Sequence, residues 1–410
     1  AEISGLTNFK YACPVWIPNN NQILTITDVA MTLHGAGAAS TNITPAGGFT
    51  SSDYWYHTQL GHWLIITNGL DVPQWVDLSD LGGGAIFEDL AGWPTDTRCS
   101  IIENFKNHLL AARITRGGVY KPNLLKWSGP IQLDDTSTNW DITDLTDNAG
   151  EVAIEVRGRD IQSIGVIGDM AAIAFDQSMF VLDYTGNLRP PFNLRKTPVA
   201  DGAVGPFSMA NVGGALAVYG LRDIYLFNGH AKERSLTDNR LTQWLYDSVK
   251  IDFQPRLGFY PAKNEIHVLC RGNSAAEGDR SLIYNMAMDE WYPVPLVEPG
   301  ASGAVSFCFL GPRLDGDVKT WDDLTADGST WNDLAGVRWD DFKTVAGDSV
   351  FYYVSLTRGE VIALDQAVGD VYFGQPLYIT HGRFELDDVY DVKTIQRLFP
   401  RIQGTGTVQF

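Results

Sequence analysis

The chain has 410 residues, 44% of them hydrophobic and 19% charged, with 12 Trp, 16 Tyr, 19 Phe and a formal net charge of −19. So acidic a balance argues against a surface built to grip nucleic acid, which needs clustered Lys and Arg, though it suits a negative wall past which DNA slides. No apolar run approaches the ~18 residues of a membrane span and no signal-peptide pattern opens the chain, so a soluble protein made in a reducing cytoplasm is expected.

Taken in order, the chain repeats one design: an apolar strand, a short turn, and a second strand that ends in polar residues. It occurs at 21–35 (QILTIT-D-VAMTLHG), 62–77 (HWLIITNG, LDVP, QWVD), 107–129 (HLLAARI, TRGG, VYKPNLLKWSG) and 169–187 (MAAIAF-DQS-MFVLDYTGN). It returns at 214–229 (ALAVYG-LRD-IYLFNG), 264–291 (EIHVLC, then SLIYNMAMDEW) and 349–366 (VFYYVSL-TRG-EVIALD). Strands apolar nearly throughout, such as Ala171 to Phe175 and Ile224 to Phe227, must be covered on both faces by neighbours. Seven such hairpins, spaced as propeller blades are, predict an all-β fold: a closed β-propeller of seven blades, with six the nearest alternative and tandem sandwiches the bland one.

Within this frame 11–17, 22–27 and 29–35 read as strands of the first blade, and 86–90 as an outer strand of the second. Gly82-Gly83-Gly84 lacks the GK[ST] and following helix of a phosphate loop and reads as a flexible connection. The polar stretch 134–151 reads as a surface loop; Asp144, Asp147 and Asn148 do not match an EF-hand spacing. Arg189-Pro190-Pro191 reads as the exit turn of the fourth blade, which spans 154–194. Residues 238–249 are expected to form an amphipathic helix, capped by Thr237 or Asp238, with Leu241, Trp244, Leu245 and Val249 on one face. That face must lie on the propeller or on a neighbouring molecule; packing on its own propeller is the favoured reading.

The propeller is expected over 1–392, with an insertion at 311–347. The insertion carries Trp321-Asp322-Asp323-Leu324, Trp331-Asn332-Asp333-Leu334 and Trp339-Asp340-Asp341-Phe342. Short turns pinned by Trp explain this grammar better than a sugar-stacking platform does, and it is not a WD40 signature, because the Gly-His elements are absent. Residues 393–410 either close the ring by completing the first blade or begin a truncated platform domain. The chain's ending in mid-strand slightly favours truncation.

No catalytic constellation emerges. His34, His57, His62, His108, His230, His267 and His381 are scattered without HxH or HExxH spacing, and neither a GxSxG elbow nor an SxDxGxxW box occurs. Asp134-Asp135 and Asp387-Asp388 sit in turn-like stretches. Cys13, Cys99, Cys270 and Cys308 are far apart and read as free thiols. The expected sets of catalytic, cofactor-binding and metal-binding residues are therefore none, and no enzymatic activity is expected.

The stretches HWLIITNGLDVPQWVD, GALAVYGLRDIYLFNGHAKERSLTDNRLTQWL and NEIHVLC with SLIYNMAMDEW resemble the propeller proteins of short-tailed bacteriophage tails. These are the tail nozzle, or tail tubular B, proteins and the related DNA-stabilisation proteins. The resemblance spans about residues 54 to 402 and rests on loose pattern, including a helix after the fifth blade. The family's N-terminal segment with its Arg-Pro-Gly-like turn and its platform domain have no counterpart here, so a fragment or a divergent member is implied. The resemblance implies a virion protein made in the host cytoplasm: one subunit of a homo-oligomeric, six-fold ring at the tail nozzle. Other tail or portal-adaptor proteins would be its partners, and the genome would pass through the ring without specific binding. The rival function is glycan recognition or cleavage in a receptor-binding apparatus, resting on the Trp321–Phe342 run.

Overall fold

The computed structural model describes residues 3–363 except 18–20, 36–39, 133–136, 144–147, 157–158, 188–189, 238–240, 243–254, 271–279, 296–304, 313 and 315–348. The described chain forms seven antiparallel sheets in a ring. The first comprises β1 (Phe9–Val15), β2 (Gln22–Thr27), β3 (Met31–His34) and β4 (Ser40–Asn42). The second comprises β5 (Tyr56–Leu60), β6 (Trp63–Thr67), β7 (Gln74–Asp77) and β8 (Glu88–Asp89). The third has β9 (Thr97–Phe105), β10 (His108–Arg116), β11 (Val119–Trp127) and β12 (Gly150–Ala153). The fourth has β13 (Ser163–Ile167), β14 (Met170–Ala174), β15 (Met179–Tyr184) and β16 (Phe192–Lys196).

The fifth sheet comprises β17 (Met209–Asn211), β18 (Leu216–Tyr219), β19 (Ile224–Phe227) and β20 (Lys232–Ser235). The sixth comprises β21 (Arg256–Tyr260), β22 (Glu265–Cys270), β23 (Arg280–Asn285) and β24 (Glu290–Pro295). The seventh has β25 (Phe307–Pro312), β26 (Ser349–Ser355) and β27 (Glu360–Ala363). This is a seven-bladed β-propeller. The first strands of successive blades pack side by side (β5 on β9, then β13, β17, β21, β25 and β1), so they surround the axis. The repeated hairpin of the sequence is the second and third strand of each blade.

Those middle strands are buried on both faces. Trp63–Thr67, Leu216–Tyr219 and Glu265–Cys270 have no exposed residue. Side chains of neighbouring blades interdigitate, and glycines on inner strands make room: a Cβ on Gly165 would meet Leu216, and one on Gly258 would meet the Phe351 ring and Cys308. The turns share a device. Asn68 Oδ1 accepts from the amides of Leu70 (2.9 Å) and Asp71 (2.8 Å), while Asn228 and Asn285 do the same for their own turns.

Closure comes from the N-terminal end. The seventh blade has three strands of its own, and Ile3 supplies a fourth position by pairing with Val361 through two backbone hydrogen bonds of 3.3 and 2.9 Å. The Leu6 amide adds a third bond, to the Gly359 carbonyl at 3.2 Å. The first blade has four strands from residues 9–42. Residues 364–410, residues 313 and 315–347 of the expected insertion, and residues 238–240 and 243–249 of the expected helix lie outside the described residues. Leu241 packs against the core of blades five and six.

Three local expectations are corrected. The fourth blade does not exit at Pro190-Pro191, because the Pro191 carbonyl accepts from the Thr185 amide (2.9 Å) and the chain continues into β16. The polar stretch after Asp134 is not simply a surface loop. Thr138, Trp140 and Asn148 are buried, the Asn148 carbonyl accepts from Trp127 Nε1 at 3.0 Å, and Gly150 already begins β12. Leu78–Gly83 is a short 3-10 helix, with Asp77 accepting from the Ser79 amide and Gly84 closing it in the left-handed conformation.

The clasp makes a test possible. Gly359 has φ +65°, and a Cβ there would lie 1.9 Å from the Leu6 carbonyl oxygen. Gly359→Ala is expected to lower unfolding free energy by about 2 kcal/mol. In urea titration with limited proteolysis, the N-terminal segment should become the first cleavage site.

Candidate functional site

The axial cavity, of about 330 Å³, takes lining residues from all seven blades. A column of stacked groups crosses it. The Arg256 guanidinium lies between the rings of Phe207 (4.1 Å) and Phe307 (4.7 Å). Phe207 in turn stacks on Tyr56 (5.6 Å, 22° between planes), and Phe307 on Tyr11 (5.3 Å, 28°). The outer tyrosines end on ionisable partners. Tyr56 Oη donates to Glu103 at 3.0 Å, and Tyr11 Oη bonds His57 Nδ1 at 2.8 Å. Inner strands β1, β5, β9, β21 and β25 supply all of these except Phe207, which precedes β17.

Burial dominates the electrostatics. It pushes the Glu103 carboxyl up to about 7 against the opposing hydrogen bonds from Tyr56, Thr58 and the Asn104 amide. It pushes His57 down to about 4, and it lowers Arg256 despite nearby Tyr11 and Cys308. The Tyr11 and Tyr56 phenols are held well above their ordinary value and the Cys308 thiol is pushed up to about 12, each chiefly by burial. Near neutrality, Glu103 is the cavity group that changes charge. Glu103, His57 and Arg256 each keep part of their surface open to the cavity.

The other histidines are not brought together. His108 Nδ1 lies 2.8 Å from the Ser128 carbonyl, His34 Nε2 bonds Thr25 Oγ1 at 2.8 Å, and His62 faces Asp77 at 3.6 Å. His267 stacks on Phe351 (4.3 Å) and bonds Tyr353 Oη at 2.7 Å, while His381 lies outside the described residues. No group of three or more His, Cys, Asp and Glu suited to a metal occurs among the described residues. All four cysteines are free, and Cys13, Cys99 and Cys270 are buried. Asp144 and Asp147 lie outside the described residues, as does the Trp321–Phe342 run. No described helix is long and apolar enough to cross a membrane.

Glu103 and Arg256 were not among the residues that sequence reasoning selected. Glu103 is the one acid in the run Cys99 to Phe105, and Arg256 opens the apolar strand RLGFY. Each is a charge on a strand otherwise ready for burial, which becomes informative once the first strand of each blade is known to face the axis.

No family model matches the chain, and no curated protein matches it. Solved structures do. The β-propeller domain of Myceliophteria thermophila Cps50 (Swd1) superposes with a TM-score of 0.50 at 8% identity, over 88% of this chain and 98% of that one. A chain of the mitotic checkpoint complex gives a TM-score of 0.45 at 10% identity, over 83% and 85%. At such identity the first likeness establishes the fold alone.

Glu103 generates a linkage prediction. Between pH 4.5 and about 7 the unfolded carboxyl is ionised while the folded one keeps its proton. The unfolded state then binds fewer protons, and stability falls as pH rises. Glu103→Gln removes that loss. Relative to wild type, the variant should gain about 3 kcal/mol between pH 4.5 and pH 8 in urea denaturation.

Proposed function

We propose that the chain is a structural, non-catalytic subunit of a bacteriophage virion, one propeller of a homo-oligomeric tail-nozzle ring. Other tail or portal-adaptor proteins are its partners. The observation that carries the assembly part is a set of apolar residues at one place in three consecutive blades. Val29 (80% exposed), Leu70 (55%) and Val119 (61%) sit at the β2–β3, β6–β7 and β10–β11 turns. In an antiparallel meander those turns all fall on the face where the first strands begin. Three large apolar groups on one face of adjacent blades suit burial against a neighbouring subunit.

The axial geometry supports the same reading. Aromatic rings and a guanidinium cross the propeller's own axis and leave only a small cavity there, so a genome would pass between subunits. An acidic chain lowers its friction there. The phage assignment itself rests on the sequence resemblance. A glycan-cleaving reading has less support at the axis, since among the described residues Glu103 is the one carboxylate lining the cavity and glycoside hydrolysis ordinarily takes a pair.

Light scattering of the purified chain, with mass spectrometry of virions, tests the proposal. An oligomer that survives moderate salt is expected, because apolar burial is not screened as surface ion pairs are. The combined substitution Val29→Asp, Leu70→Asp and Val119→Asp should dissociate it without loss of folded structure. A persistent monomer that is also absent from virions would end the proposal. So would Trp331→Ala abolishing a measured glycan affinity in a folded chain.

A further inference from the structure

The Arg256 guanidinium is stacked on both faces, and its in-plane N–H groups make no hydrogen bond among the described residues. Phe207 and Phe307 cover the two flat sides. No ion pair joins it to a carboxylate among the described residues, the groups that act on it electrostatically are Tyr11, Cys308 and Tyr54, and it remains partly open to the cavity. A guanidinium has five donors in a planar fork and is never deprotonated in practice. Cation–π contact offsets only part of what it loses on leaving water, and it leaves the charge without a counter-ion.

The rest of the lining decides what the counter-ion would be. The cavity's ≈ 330 Å³ is at the small end of the range for ligand pockets. Its lining sets the rings of Tyr11, Tyr56, Phe207, Phe307 and Phe309 beside the polar side chains of Thr58, Gln59, Asn104 and Ser163, a mixed surface that suits an organic anion with a ring body better than a hydrated inorganic ion. We propose that the axial cavity is a binding site for a small organic carboxylate, whose carboxylate pairs with the free edge of Arg256 while its apolar body lies among these rings. This goes beyond the ring-subunit reading and does not depend on it.

The charges around the site are few. Tyr11 comes from β1, Tyr56 and His57 from β5, Glu103 from β9, Arg256 from β21 and Cys308 from β25, with Tyr54 just before β5. Burial keeps the three phenols, the thiol and the imidazole neutral from pH 6 to 8. Among the described lining residues Arg256 supplies the single positive charge. Glu103 alone changes state in that window, and once ionised it repels an anion.

Isothermal titration of the full chain with benzoate, benzyl alcohol and inorganic phosphate tests this. Benzoate should bind saturably at pH 6, with affinity at least tenfold above that of benzyl alcohol and of phosphate. Arg256→Gln should weaken benzoate about 10- to 100-fold. Arg256→Lys, which keeps the charge but not the fork, should weaken it less than Arg256→Gln does. Wild-type affinity should fall about tenfold from pH 6 to pH 8, and Glu103→Gln should flatten that dependence. Should the Arg256 variants fail to fold, the wild-type ligand comparison and the Glu103→Gln pH series still decide. Absence of saturable benzoate heat, equal binding of benzyl alcohol, preference for phosphate, or unaltered affinity in a folded Arg256→Gln variant would overturn the proposal.

Discussion

The structure depends on sheets that are apolar on both faces. A middle strand such as Trp63–Thr67 or Leu216–Tyr219 presents no side that water can cover, so a single blade exposes roughly what a core would bury. Each blade is stable only between two others, and the first and last blades meet that requirement only if the chain returns on itself. The return is modest in extent. Ile3 pairs with Val361, Leu6 reaches Gly359, and β1 packs against β25. Ring closure therefore joins the two ends of a long chain through few contacts. The loop entropy it overcomes grows only slowly with chain length.

Closing seven inner strands around one axis brings together residues far apart in sequence. Tyr11, Tyr56, Phe207, Arg256 and Phe307 come from five blades yet form one stacked column. The column crosses the axis and fastens opposite blades to one another. Its two ends are held by hydrogen bonds to Glu103 and His57. The same convergence places in a small cavity a cation that has no acidic partner among the described residues, an arrangement that packing alone does not require.

Much of the architecture is legible in local pattern. The hairpins QILTIT-D-VAMTLHG, ALAVYGLRDIYLF and VFYYVSLTRGEVIA carry their own turn chemistry and length, and each became a blade's second and third strands. The outer strands are harder to read. β4 is three exposed residues and β8 two, and both are specified by pairing with a neighbour more than by apolar content. The Pro190-Pro191 pair looks like an ending because proline cannot donate to a ladder, yet here it stands just before an edge strand, where that donor is not needed. Trp140 looks exposed inside a polar run, but it is buried against Trp93 at 4.5 Å. The axis is the least legible part, because Glu103 and Arg256 lie 153 positions apart and no local signal links them. Their meeting is a property of closure.

Hydrogen exchange of the intact chain tests that closure most directly. If Ile3 completes the seventh blade and the ring is one cooperative unit, the amides of Ile3 and Val361 should be protected. They should exchange with the same opening free energy as the inner-strand amides of blades two and five. Rapid exchange at Ile3 and Val361 while those inner strands remain protected would contradict it, and would mean that the blades hold together without the N-terminal clasp.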